Sequence, residues 1–352
     1  MPLDGDPVSC KRPAWDGPEG LRYHLHPGGR LTLGAPSTGD PMARIWIVSV
    51  VLLCASTVLS AQRPMFSSGI DVVHIGVSIL DNDDKPVPDV TADDIELYED
   101  GVRQEISYFS RGLHTDSDLM PMHLGLLFDA SGSMGDDDRF AKTAAIKFLN
   151  TLTYAEDMTL VDFDTTVQVG RFGQDDFPRL VERIRNREPG GMTAFYDALG
   201  VYLDGAFELD GRKVLLMYSD GYDTRSRMPF SDTLELMKAS DVTVYAIGFQ
   251  GNIPRSQRAM QRMKLGQLVE LTGGRVFFPD DVDALDEIYG MISEELETRY
   301  ALGYISTNTR ADGTWRRIEI KVKPDRAELT KVETRSREGY YARYQEPESP
   351  NP

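Results

Sequence analysis

Cysteine is all but missing from this chain. Its 352 residues hold two, Cys10 and Cys54. Both precede residue 62, so a chain processed near Gln62 has neither a disulfide nor thiol chemistry. Histidine is almost as sparse, at five. His74, His114 and His123 stand alone, with no His-Glu-x-x-His pair and no Cys/His cluster, which leaves zinc catalysis without support. Positive charge is short: 38 Lys and Arg face 56 Asp and Glu, a formal net charge of −18. That balance argues against nucleic acid and anionic membrane surfaces as partners. Also lacking are a Gly-x-Ser-x-Gly elbow, a phosphate loop, a dinucleotide fingerprint and any internal repeat. What remains is ordinary for a globular protein, with 41% apolar and 27% charged residues and length for two or three domains.

The first 61 residues differ from the rest. Residues 1–41 are rich in Pro and Gly without hydrophobic period, and read as a leader with no structural role. From Met42, Arg44 supplies a positive start, Ile45 to Leu59 an apolar stretch, and Ser60-Ala61 small residues for cleavage. Residues 42–61 therefore read as a secretory signal peptide, with an uncleaved anchor as the alternative. Leu53 stands before Cys54 where a lipoprotein signal needs a small residue. The expectation is a secreted or periplasmic protein, not inserted in the membrane after cleavage. The tail, residues 345–352 (QEPESPNP), has the composition of a disordered segment.

Between these ends the pattern changes twice. Residues 69–115 read as β-rich: Val73, Ile75, Val77 and Ile79 alternate with polar or small residues, and Asp100-Gly101 signals a hairpin. Residues 121–298 alternate strand and helix. The runs HLGLLFD, MTLVDFD, KVLLMYSD, VTVYAIGF and RVFFPD are strand-like. Helices are predicted at 139–152, 177–187, 194–209, 231–240, 257–272 and 282–299. This predicts an α/β fold: an open, mostly parallel, doubly wound sheet covered on both faces, with FDTTVQVG as an antiparallel edge ribbon. Residues 299–344 turn β again. Each β segment is too short to bury a core alone, so the two are expected to form one small immunoglobulin-like sandwich, with the α/β domain inserted.

Ligands of open parallel sheets sit beyond the carboxyl ends of the strands. There the first α/β strand ends in Asp129-Ala-Ser131-Gly-Ser133, and KVLLMYSD ends in Asp220. A Gly-Gly turn sets Thr193 at a helix start. All their side-chain donors are oxygens, which suits Mg²⁺, Mn²⁺ or Ca²⁺ rather than Zn²⁺. Taken singly, Ser133 and Thr193 also fit helix N-caps. Asp136-Asp137-Asp138 reads as a solvated helix start, and Asp223 and Thr224 as turn residues. Asp81, Asp83 and Asp84 fail as a calcium loop because Lys85 and Pro86 stand where an oxygen ligand and Gly are needed.

Asp-x-Ser-x-Ser, a Thr in a Gly-rich loop and an Asp in Ser-Asp-Gly together resemble the metal-ion-dependent adhesion site of von Willebrand factor type A (VWA) domains. The resemblance covers residues 121–298, and the flanking β segments are similar to those of a secreted bacterial subgroup. It implies direct ligation by Ser131 and Ser133, direct or water-mediated ligation by Thr193, and mostly water-bridged roles for Asp129 and Asp220. It also implies a sixth position filled by an Asp or Glu of a partner protein, and a last helix, 282–299, that shifts as ligand exchanges. The expected function is a non-enzymatic binding module. Its rivals are a metal-assisted hydrolase such as a phosphatase, for which position 131 lacks a second Asp, and a purely structural ion.

Overall fold

The computed structural model describes residues 72–112, 121–151, 155–324 and 329–345. The leader, the signal peptide and all but the first residue of the tail lie outside them.

Alternation and a turn shape the first β segment. It holds β1 (Val72–Leu80), β2 (Ile95–Glu99), β3 (Val102–Gln104) and β4 (Ile106–Arg111). Ile75, Val77 and Ile79 are buried along one face of β1. Asp100 and Gly101 both take positive φ (48° and 80°), the backbone that a two-residue hairpin demands, and they join β2 to β3.

The strand-helix alternation then runs β5 (Met122–Asp129), α1 (Asp138–Thr151), β6 (Asp157–Phe163), β7 (Val167–Gly173), α2 (Phe177–Asn186), α3 (Phe195–Phe207), β8 (Arg212–Ser219) and α4 (Phe230–Ala239). It continues with β9 (Thr243–Gly248), α5 (Arg255–Glu270), β10 (Arg275–Phe277) and α6 (Ala284–Thr298). These strands form one six-stranded sheet in the order β10-β9-β8-β5-β6-β7. All pairings are parallel except β6 with β7, the predicted edge ribbon.

The apolar runs are continuous because both faces of the sheet are covered. All eight residues of β5 are buried. Leu124, Leu126 and Phe128 face one core with Phe148 of α1, Leu180 of α2 and Tyr289 and Ile292 of α6. Leu127 faces the other, with Leu199 and Leu203 of α3, Met237 of α4 and Leu265 and Leu268 of α5. The period of two along the strand sorts side chains to opposite layers.

The last segment supplies β11 (Tyr300–Ile305), β12 (Trp315–Val322), β13 (Glu333–Ser336) and β14 (Gly339–Tyr341). They interleave with the first segment in two four-stranded sheets, β13-β1-β11-β4 and β14-β12-β2-β3. A shared core of Ile75, Val77, Leu97, Leu302, Ile318 and Ile320 lies between them. At the join, the Ser78 hydroxyl of β1 donates to Glu295 Oε1 of α6 (2.6 Å), and Arg299 Nη2 donates to the Gly76 carbonyl (3.1 Å), both largely out of solvent.

Candidate metal centre

β5 and β8 are neighbours, yet the chain leaves them toward opposite faces. α1, after β5, packs in the first core, whereas α4, after β8, packs in the second. This divergence opens a crevice at the carboxyl ends of the two strands. Asp129 closes β5, Ser219 closes β8, and Asp220 follows it. Beside them lies a cleft of about 390 Å³, lined in part by Ser133, Asp136, Asp220, Tyr222, Asn252 and Pro254.

Three loops bring the five expected residues together. The Ser131 and Ser133 hydroxyl oxygens are 2.9 Å apart, and Ser133 Oγ lies 3.5 Å from Thr193 Oγ1. Asp129 is wholly buried. Its Oδ1 accepts from the Ser131 amide (2.9 Å) and its Oδ2 from the Ser219 hydroxyl (2.6 Å). Asp220 Oδ1 accepts from the Tyr222 amide (2.9 Å). Neither serine nor threonine serves as a helix cap. No side-chain cap bond forms at the start of the 3-10 turn Gly132–Asp137 or of α3, and Ser133 sits inside that turn.

The electrostatics are lopsided. Burial, reinforced by the Asp220 charge, pushes the Asp129 carboxyl up to about 7 against the pull of the Ser131 and Ser219 hydrogen bonds. Burial also raises Asp220, with Asp137 adding to it, while the Tyr222 amide and the Ser133 hydroxyl pull the other way. Two buried acids thus stand next to three convergent hydroxyls, and neither acid has a salt-bridge partner among the described residues. Among the described residues no cluster of three or more His, Cys, Asp or Glu side chains could hold a metal. The candidate donor set is instead two carboxylates and three hydroxyls, hard oxygens that fit Mg²⁺, Mn²⁺ or Ca²⁺.

The surrounding loops fix this geometry. Gly190 N donates to the Ala130 carbonyl (2.9 Å) and Gly132 N to the Gly191 carbonyl (3.1 Å), a reciprocal clasp between the Ser and Thr loops. Gly191 has φ +73°, and a Cβ there would come within 2.5 Å of Thr165 Oγ1, so glycine is required on both counts. Thr193 N donates to Thr224 Oγ1 (3.0 Å), and Thr224 N returns a bond to the Thr193 carbonyl (2.9 Å). Asp223 Oδ2 accepts from Tyr196 N at the start of α3 (3.1 Å). Asp223 and Thr224 therefore hold the Thr193 loop, a larger part than that of turn residues. Of the acidic run, Asp136 is exposed at the cleft, Asp137 Oδ2 accepts from Gly251 N (2.9 Å) and Asp138 pairs with Lys142 (2.8 Å).

Two residues of the centre carry little or no local signal in the sequence. A serine closing an otherwise apolar strand is the one hint of Ser219, which orients Asp129 from the neighbouring strand. Asn252 has no local signal. Its amide donates to the Ser133 and Met134 carbonyls (3.3 and 3.0 Å), a bridge across more than a hundred residues that only the fold creates.

The sheet order, the two-sided helix layers and the oxygen-lined crest define a doubly wound α/β domain with its polar site at the switch point. The chain carries a von Willebrand factor type A domain: residues 123–290 match that family's model. Among solved structures it is similar to BatB from Bacteroides thetaiotaomicron (15% identity, 50% of this chain and 100% of that one, TM-score 0.39). It is also similar to the pilus adhesin SpaC from Lactobacillus rhamnosus GG in its open conformation (10%, 74% and 48%, TM-score 0.44). A third likeness is to the manganese-loaded TRAP protein of Plasmodium vivax (14%, 69% and 98%, TM-score 0.39). Likenesses this distant carry no argument about function. No curated protein matches the chain. Among the described residues no helix is long and apolar enough to cross a membrane.

Proposed function

We propose that this protein is a secreted or periplasmic binding module that holds one divalent cation at the crest of its VWA domain and uses it to grip an acidic residue of a partner protein. One observation carries the reading: two buried carboxylates, without a salt-bridge partner among the described residues, stand beside three hydroxyls at distances of 2.9 and 3.5 Å. Ser131, Ser133 and Thr193 would offer neutral oxygens directly. Asp129 and Asp220 would balance the charge mostly through water. When bound, the ion supplies an open position that favours one more anionic oxygen, since Mg²⁺ keeps part of its water shell exchangeable. The chain's own part is orientation. Ser219 and the Ser131 amide aim Asp129, Thr224 and Asp223 seat Thr193, and Asn252 fixes the loop that carries Ser133.

Backbone bonds already clasp the Ser and Thr loops to each other, so an ion is not needed to tie them, which speaks against a purely structural role. The donor set also contains no second carboxylate at position 131 to assist hydrolysis. The test is retention of envelope proteins on the immobilised chain in Mg²⁺, in chelator, and on a Ser131→Ala/Ser133→Ala variant. A partner retained only by the native chain with the ion supports the reading, and one retained equally in all three refutes it.

A further inference from the structure

Basic residues are scarce in this chain, yet α5 gathers four of them, Arg255, Arg258, Arg262 and Lys264, against one acid, Glu270. None forms a salt bridge with a described residue, in a protein carrying 56 Asp and Glu. Gln261, Leu265, Leu268 and Val269 turn one stripe of the helix to the core. The opposite stripe carries Met260 and Met263, 62% and 55% exposed and among the most exposed large apolar side chains described. Unbranched, polarizable methionine adapts to irregular apolar partners. Flanked by cations that no described carboxylate neutralises, with Lys264 Nζ over the Phe230 ring (5.6 Å to its centre), this stripe is complementary to a segment that is both acidic and apolar.

It is also continuous with the candidate metal centre. Ile253 and Pro254, which lead into α5, line the same cleft as Ser133 and Asp220. Arg258 Nε donates to the Ile253 carbonyl (3.1 Å), and Arg262 donates to Gln250 Oε1 (2.7 Å) while stacking over Phe278. Arg258 thus ties the first turn of α5 to the wall of the cleft.

We propose that the partner is a protein bearing an extended acidic segment, whose anchor carboxylate enters the metal cleft and whose following residues lie along α5 with an apolar side chain on Met260 and Met263. This rests on the metal-dependent reading above and adds the partner's chemistry to it. The spacing is counted from Pro254, on the wall of the cleft that receives the anchor. At about 1.5 Å per helical residue, Met260 and Met263 lie roughly 9 and 14 Å along the axis from Pro254. An extended chain at about 3.3 Å per residue covers this in about three to four residues. The segment therefore carries Asp or Glu, about two or three acidic or neutral residues, then a large apolar residue.

The probe is a labelled peptide with an Asp anchor, Glu in the spacer and a Leu about four positions away in either direction, compared with the same residues with Leu moved next to Asp, and with Asp→Asn. Anisotropy is read in Mn²⁺, after Mn²⁺ uptake has been measured by calorimetry on each protein. The spaced peptide should bind the native chain about tenfold more tightly than the shuffled one. Charge reversal in Arg255→Glu and loss of the apolar stripe in Met260→Ser/Met263→Ser should each weaken it about tenfold, with Mn²⁺ uptake unchanged. Rising salt should weaken it further. Equal binding by these variants, or no binding by a native chain that takes up Mn²⁺, overturns the proposal and leaves the metal reading standing. Failure of the native chain to take up Mn²⁺ overturns both.

Discussion

At the residue scale, the candidate centre depends on side chains that carry no charge. Ser219 lies outside the Asp-x-Ser-x-Ser run, yet its hydroxyl is one of two donors that orient buried Asp129. Ser219→Ala should leave the fold intact and lower Mg²⁺ or Mn²⁺ affinity by about 10–100-fold, the cost typical of losing a group that orients a metal ligand. Calorimetric titration of the variant measures it. Gly191→Ala tests the clasp: with φ +73° and Thr165 Oγ1 in the way of a Cβ, the substitution should cost about 1–3 kcal/mol in urea unfolding. The convergence of Asp129, Ser131, Ser133 and Asp220 was legible in the sequence because strand ends in an open α/β sheet announce themselves as apolar runs that stop at polar residues, whereas Thr193 was marked only by its Gly-Gly turn and the family resemblance. Ser219 and Asn252 were not, because their partners come from other strands and loops.

At the element scale, the apolar run of β5 and the Asp100-Gly101 hairpin follow from local physics, and both are as expected. Every helix begins and ends within two residues of expectation; the largest differences are α3 ending at Phe207 instead of Leu209, α5 running from Arg255, directly after Pro254, to Glu270 instead of 257–272, and α6 starting at Ala284 instead of Val282. Pairings such as β1 with β11 join segments more than two hundred residues apart, and no local period encodes them. Besides the exposed Lys147–Asp286 ion pair with α1 (2.7 Å), buried side-chain bonds hold α6 toward both its neighbours. Tyr289 Oη donates to the Ala144 carbonyl (2.8 Å) and lies 3.2 Å from Tyr218 Oη on β8, while Glu295 accepts from Ser78 on β1. A shift of α6 on ligand exchange, which the family resemblance implies, has to break the Ser78–Glu295 bond or carry β1 with it. Ser78→Ala should cost about 1.5–3 kcal/mol, the worth of a buried bond to a carboxylate, and should speed amide exchange at the end of α6.

At the scale of the whole molecule, the two β segments depend on one another. Within the described residues β4 pairs with β11 alone, and β1 pairs with β11 and β13. We propose that residues 69–115 and 299–344 are halves of one small sandwich. Removing residues 299–344 should then strip amide-exchange protection from β1 and β4 while the six-stranded sheet keeps its own. Retained protection in β1 would contradict that. The two β segments meet the VWA domain at α6, at α4 through Tyr341 and Glu235, and at β10 through Asp84 and Arg275, and the last helix of the VWA domain feeds straight into β11. The central claim concerns the crest of that domain, and calorimetry tests it most directly. Mg²⁺ and Mn²⁺ are titrated into the folded chain and into its Ser131→Ala/Ser133→Ala variant. The account predicts saturable uptake of one ion per chain, abolished in the variant. No uptake of Mg²⁺, Mn²⁺ or Ca²⁺ by the folded native chain, or equal uptake by the variant, contradicts it.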